Sequence, residues 1–193
     1  MTGPLFYLLL FLAGLGYGYT VERASQGGDS VLPFIPQREP AWVADLDPAY
    51  QGVVSKMKQK GFTIHDNAPV CRQQDVVGYY FWGKHSIKVC SDRIAKQRDD
   101  ASAIRLLLQQ TVAHEAVHVA QHCRHARSGK PTLQLAAARL YSLPSSARSL
   151  IQKSLASNPT NHPRSVQWRI EAEAWAMEGT PDQVIVALQQ FCS

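Results

Sequence analysis

Thr111-Val-Ala-His-Glu-Ala-Val-His118 is the stretch on which the reading of this chain turns. A helix sets residues four apart on one face, about 6 Å along its axis, so His114 and His118 can offer imidazole nitrogens to a single ion. Glu115 lies beside them, suited as general base: it can take a proton from water activated by that ion and pass it to a leaving amine. In a chain of this length and histidine content, His-Glu-x-x-His arises by chance in roughly one sequence in a hundred. Ala113, Ala116, Val117 and Val119 surround the polar trio with apolar groups. Enclosing bare imidazoles and a carboxylate is costly, and a metal satisfies them.

A catalytic zinc holds three protein ligands and keeps one position for water. His122 fails as the third, because eight residues from His114 is about 12 Å along a continuous helix. The extended pattern ending in Gly-x-x-His fails too, since Gln121 and Arg124 stand at those positions. The better source is Ser165-Val-Gln-Trp-Arg-Ile-Glu-Ala-Glu-Ala-Trp-Ala-Met-Glu-Gly179, a helical pattern with carboxylates flanked by small residues. Glu171 is the choice. Glu173 lies about 200° round the helix and points elsewhere, while Glu178 shares the face of Glu171 near the helix end. The expected site is one Zn2+ on His114, His118 and Glu171.

Working outward, Asp99 and Asp100 precede a helical pattern from Ala101 to about Cys123. Before it, Asp47 as N-cap and Pro48 at the first position begin a helix that Gly61 stops. Phe62-Thr-Ile reads as a short strand, and residues 76–82 and 86–90 as two strands joined by a turn. After the metal helix, helical segments are expected near Leu133 to Tyr141, Ser145 to Leu155, Val166 to Glu178 and Pro181 to Phe191. Strands early and helices late predict an α+β fold: a small antiparallel sheet or hairpin packed on a long metal-binding helix, with a helical C-terminal half.

The 193 residues, 45% hydrophobic and 18% charged, suit one globular domain. A net charge of +5 points weakly to an acidic partner. The basic residues are scattered, however, with no zinc-finger spacing or aromatic RNA-binding signature, so no nucleic-acid partner is expected. The run from Leu5 to Gly16 is apolar and uncharged, which predicts a signal peptide or membrane anchor over residues 1–20, with membrane association through residues 4–20. A Pro/Gly-rich linker over 21–45 and a catalytic domain over 46–193 follow, with folded structure beginning near residue 41. An extracytoplasmic chain, secreted or anchored, keeps disulfides. Of the three connectivities open to its four cysteines, Cys71 with Cys90, which flank the hairpin, is favoured, leaving Cys123 for Cys192.

His114-Glu-Ala-Val-His with a downstream helical glutamate resembles the zincin superfamily of metallopeptidases of the glutamate-liganded kind. More narrowly, Cys71, Gly78-Tyr-Tyr, Ile87-Lys-Val-Cys90 and His114-Glu-Ala-Val-His-Val-Ala-Gln-His-Cys-Arg124 are similar to the mitochondrial inner-membrane peptidase family that processes and helps assemble an ATP synthase subunit. In that family a hairpin ending in cysteine precedes the metal helix, a Cys-Arg pair follows it, and a glycine stands eight residues after the ligand glutamate, as Gly179 does after Glu171. The likeness covers residues 71–124 and 169–179. The stretch from His125 to Gln167 has no counterpart, and Trp175 stands where many glutamate zincins carry an aspartate that orients a histidine. The resemblance implies a zincin-like fold, zinc-dependent endopeptidase activity and a polypeptide substrate paired along the hairpin strand 87–90 or its partner 79–82. A non-catalytic zinc-binding module acting in protein assembly is the alternative. A group stabilising the oxyanion is expected on chemical grounds, and Tyr80, Tyr141 and His162 are candidates.

Overall fold

The computed structural model describes residues 39–81, 85–135, 137–157 and 162–192. The apolar segment over 4–20 and most of the expected linker lie outside them. Among the described residues no helix is long and apolar enough to cross a membrane.

A 3-10 helix at Ala41–Asp45 leads into α1 (Pro48–Gln59), with Pro48 opening the helix as its spacing predicts. Val43, within the expected linker range, is buried in the main core beside Leu46, Val53, Val54 and Met57. The fold then lays down β1 (Thr63–Asp66), a single turn α2 (Val70–Gln73), β2 (Gly78–Phe81), β3 (Ser86–Val89) and α3 (Ser91–Gln97). The long helix α4 (Ala101–Ser128), α5 (Ala137–Leu140), α6 (Ser145–Ser157), α7 (Arg164–Met177) and α8 (Pro181–Phe191) complete an α+β chain.

The sheet is mixed rather than antiparallel, which corrects the expectation. β2 and β3 form the predicted hairpin, with Gly78 opposite Val89, but β1 pairs with β3 in parallel, Thr63 opposite Ser86. The strand order β1-β3-β2 requires the chain to leave β1, cross the sheet and return. Residues 67–77 make that crossing. Asn67, at φ 48°, turns the chain and caps α3, its side chain accepting from Asp92 N–H at 3.0 Å and donating to Ser91 Oγ at 2.9 Å. Arg93 of α3 donates to the carbonyls of Cys71 and Gln74 and pairs with Asp75, which pins α2 under the sheet.

α4 is the axis. Asp100 caps it by accepting from Ala103 N–H at 2.8 Å, and Gly129, at φ 68°, ends it in the left-handed turn favoured by glycine. Every residue from Thr111 to Gln121 is buried, because α1, α7, α8 and the sheet enclose the helix on all sides. A helix expected from Leu133 is confined to Ala137–Leu140. The amides of Leu133 and Gln134 are bonded instead to a side chain of α7, and Gln134 sits at φ 65°, outside the helical region.

Both expected disulfides are present. Cys71–Cys90 closes the crossing onto β3, and Cys123–Cys192 ties α4 to the end of α8. Such bonds persist in oxidising compartments. The second spans 69 residues, so chain-entropy reasoning assigns it about 4 kcal/mol. We expect Cys123→Ala/Cys192→Ala to lose about that much in denaturant unfolding, and a loss below about 1 kcal/mol would show that α8 is held by packing alone.

Candidate metal centre

The buried middle of α4 carries His114, Glu115 and His118, and α7 crosses it with Glu171 facing them. All four residues are at most 1% exposed. His114 Nε2 stands 3.8 Å from Glu171 Oε2 and His118 Nε2 stands 3.6 Å from Glu171 Oε1. One donor atom from each of these three residues lies within 4.8 Å of the others. The three ligands chosen from the sequence thus come together.

The surrounding bonds decide which nitrogen each ring presents. Gln121 donates through Nε2 to Ile170 O at 2.9 Å and to Glu173 Oε2 at 3.1 Å. That sets its amide, so Oε1 faces His118 Nδ1 at 2.8 Å and takes its proton. His118 Nε2 is left as the bare lone pair turned to Glu171. Glu173 is anchored in turn by the amides of Leu133 at 2.6 Å and Gln134 at 2.9 Å, and Arg169 lies 3.6 Å from it. His114 is oriented from the other side: its Nδ1 faces Glu178 Oε2 at 3.4 Å, and the Trp175 ring meets its edge at 5.8 Å. Tyr50 of α1 donates to Glu178 O at 3.3 Å and holds that corner.

Sequence reasoning had left both orienting partners unassigned. It is Glu178 that faces His114 Nδ1, rather than residue 175 where the resemblance would put an aspartate, and the signal was its shared face with Glu171. Gln121 had registered only as a missing glycine. Glu173 does point away from the ligands, but it is buried and supports Gln121. His122 stands apart, edge-on to Tyr80 and His85. Arg124 donates to Thr132 O and covers the Phe191 ring.

The electrostatics call for positive charge. Burial pushes the Glu115 carboxyl up to about 8, with Glu171 adding to the rise and His114 and the Tyr80 amide opposing it. Burial alone would lower His114, yet Glu171 and Glu178 hold its ring protonated, up to about 10. Burial raises Glu178 and lowers His118. His118 Nε2 and Glu171 Oε1 have no hydrogen-bond partner. Two donors on one tetrahedral ion stand about 3.3 Å apart, close to the separations here, so two imidazoles and a carboxylate fit a divalent cation.

Glu115 reaches the sheet. A Cβ at Gly78 would lie 2.6 Å from both Glu115 Oε1 and Thr111 Cγ2, so only glycine lets β2 come this close to α4. Of the oxyanion candidates, Tyr141 is exposed and Tyr80 packs its ring on His122, while His162 meets His125. It is Tyr79 that shares the field of Glu115: burial first, then that carboxylate, raises its phenol.

We expect Gln121→Ala and Glu178→Ala each to weaken metal binding about 10- to 100-fold, read by competition with a chromophoric chelator. Full affinity in both would show that the ring orientations do not depend on these partners.

No curated protein and no solved structure matches the chain. A family described as "Domain of unknown function (DUF8637)" matches residues 42–193, which takes in the sheet, α4 and every residue of the cluster. The chain belongs to the DUF8637 family.

Proposed function

We propose that this chain is a zinc-dependent endopeptidase with a zincin-like fold, acting outside the cytoplasm on polypeptide substrates. The observation that carries the reading is a three-ligand cluster, His114, His118 and Glu171, with a fourth buried side chain, Glu115, beside it and outside the ligand set. Three protein ligands leave one coordination position open, which is the catalytic rather than the structural arrangement, and imidazole with carboxylate suits zinc. Zinc, when bound, supplies Lewis acidity towards water and the scissile carbonyl.

Glu115 accepts a proton from the attacking water and delivers it to the departing amine nitrogen. Burial suits it to both steps, since its proton affinity is raised towards neutrality. Gln121 and Glu178 keep the two imidazoles fixed through this cycle.

β2 is an edge strand beside Glu115. Cys90 N–H bonds Val77 O at 2.9 Å, which sets the ladder's phase, so Gly78 and Tyr80 turn their backbone groups away from β3. Glu115 takes the Tyr80 amide, so an extended peptide can pair with the remaining main-chain groups of that edge, giving broad sequence tolerance. The enclosure of the ligands favours a second reading, a non-catalytic module in which zinc braces a partner-binding surface.

Glu115→Gln separates the two. We expect it to retain one zinc per chain and to lose at least about 100-fold in cleavage of an unfolded protein substrate, with chelation abolishing the parent's cleavage. A parent that never cleaves, or a variant that cleaves equally well, overturns the peptidase reading. Gly78→Ala forces Glu115 or β2 aside, so cleavage should fall while zinc content holds. Cleavage at the parent rate would show that this close approach is not needed.

A further inference from the structure

Across Glu178 from His114, the ends of α6 and α7 and the side of α4 enclose a cavity of about 370 Å³. Leu107, Leu143, Leu150 and Trp175 give it apolar walls, with Gln110 and Ser146 among them. Three charged residues complete the lining: Arg98, Arg139 and Glu178. Glu178 turns its carboxylate to His114 Nδ1, 3.4 Å away, and not to either guanidinium group. The guanidinium groups are not balanced. Arg139 donates to Ala176 O at 3.5 Å and Thr180 Oγ1 at 3.1 Å, and Arg98 to Gln97 O at 3.2 Å. Among the described residues neither forms an ion pair with a carboxylate. Asp100, the acidic neighbour of Arg98, feels its charge but spends its hydrogen bonds on Ser102 Oγ and Ala103 N–H, and forms no ion pair with it.

An apolar chamber of this size with a few polar groups and two uncompensated cations is complementary to an anion that carries an apolar group. We propose that the cavity binds the C-terminal residue of a peptide with an apolar side chain. The carboxylate meets Arg98 and Arg139, the side chain lies against Leu107, Leu143, Leu150 and Trp175, and the preceding amide has Gln110 and Ser146 as partners. The amide partners favour a peptide end over a plain alkyl carboxylate. Because Glu178 and Trp175 both line the cavity and touch His114, an occupant lies one side chain from the metal ligands.

The test is binding, not cleavage, so it fails or succeeds independently of the peptidase reading. N-acetyl-leucine, N-acetyl-leucinamide and hexanoate are titrated against the whole chain by ligand-observed NMR, and tryptophan fluorescence with a Trp175→Phe control locates the site. N-acetyl-leucine should bind saturably and alter Trp175 emission, with the uncharged amide about tenfold weaker or more. Arg98→Gln, whose side chain makes no long-range bond in the fold, should weaken N-acetyl-leucine to a similar degree without changing thermal unfolding. No saturable binding, equal binding of the amide, an unaffected Arg98→Gln variant, or an emission change that survives Trp175→Phe overturns the proposal. Hexanoate binding as tightly as N-acetyl-leucine overturns the peptide assignment in favour of alkyl carboxylates.

Discussion

The structure depends on one electrostatic constraint: four carboxyl groups and two imidazoles are sealed at the crossing of α4 and α7. Removing such groups from water costs several kcal/mol each after relaxation, and the cost is met only where every lone pair and proton has a counterpart. The fold supplies these from four directions. Gln121 and Glu173 fasten His118 to the segment at Leu133, and Glu178 and Trp175 fasten His114 to the end of α7. Tyr50 brings α1 into the same corner. His118 Nε2, Glu171 Oε1 and both Glu115 oxygens have no hydrogen-bond partner, and His114, His118 and Glu171 together could hold a cation.

That constraint explains features which otherwise look local. The left-handed turn at Gln134 and the shortened α5 follow from spending two backbone amides on Glu173. An ordinary helix start would take two of that buried carboxylate's donors away, so the polar network wins over helix propensity at residues 131–134. The closeness of β2 to α4 has the same origin. Glu115 needs a wall that excludes water yet leaves the carboxylate room, and Gly78 provides both.

Much of the candidate cluster was legible in the sequence because each choice rests on helical geometry within one element. Spacing placed His114 and His118 together and excluded His122, and face counting preferred Glu171 to Glu173. The secondary structure was legible for like reasons at Asp47-Pro48, along α4, and at α6 to α8. What could not be read depends on which segments meet. Periodicity says that Gln121 is on the side of His118, but not that Ile170 and Glu173 arrive to hold its amide. The parallel pairing of β1 with β3 is another such case, since Phe62-Thr-Ile reads as a strand whatever its neighbour. α2 and α3 are too short to show a period, and their order comes from Asn67, Arg93 and the Cys71–Cys90 bond.

The partner of His114 shows how a motif can mislead while its physics holds. A carboxylate four residues after the ligand glutamate is the expected device, and Trp175 occupies that position. Four residues advance about 40° round a helix and seven about −20°, so positions 175 and 178 both stay on the face of Glu171. They differ by about 4.5 Å along the axis. A tryptophan ring at the nearer position presses on the imidazole edge and moves the place for a carboxylate to the helix end, where Glu178 meets Nδ1. The last turn has spare carbonyls and room for a side chain to curl back, and Tyr50 uses one of those carbonyls to keep the turn closed. In this chain a negative group faces His114 Nδ1 while Nε2 turns to Glu171, and the carboxylate that does so stands at 178 rather than at 175.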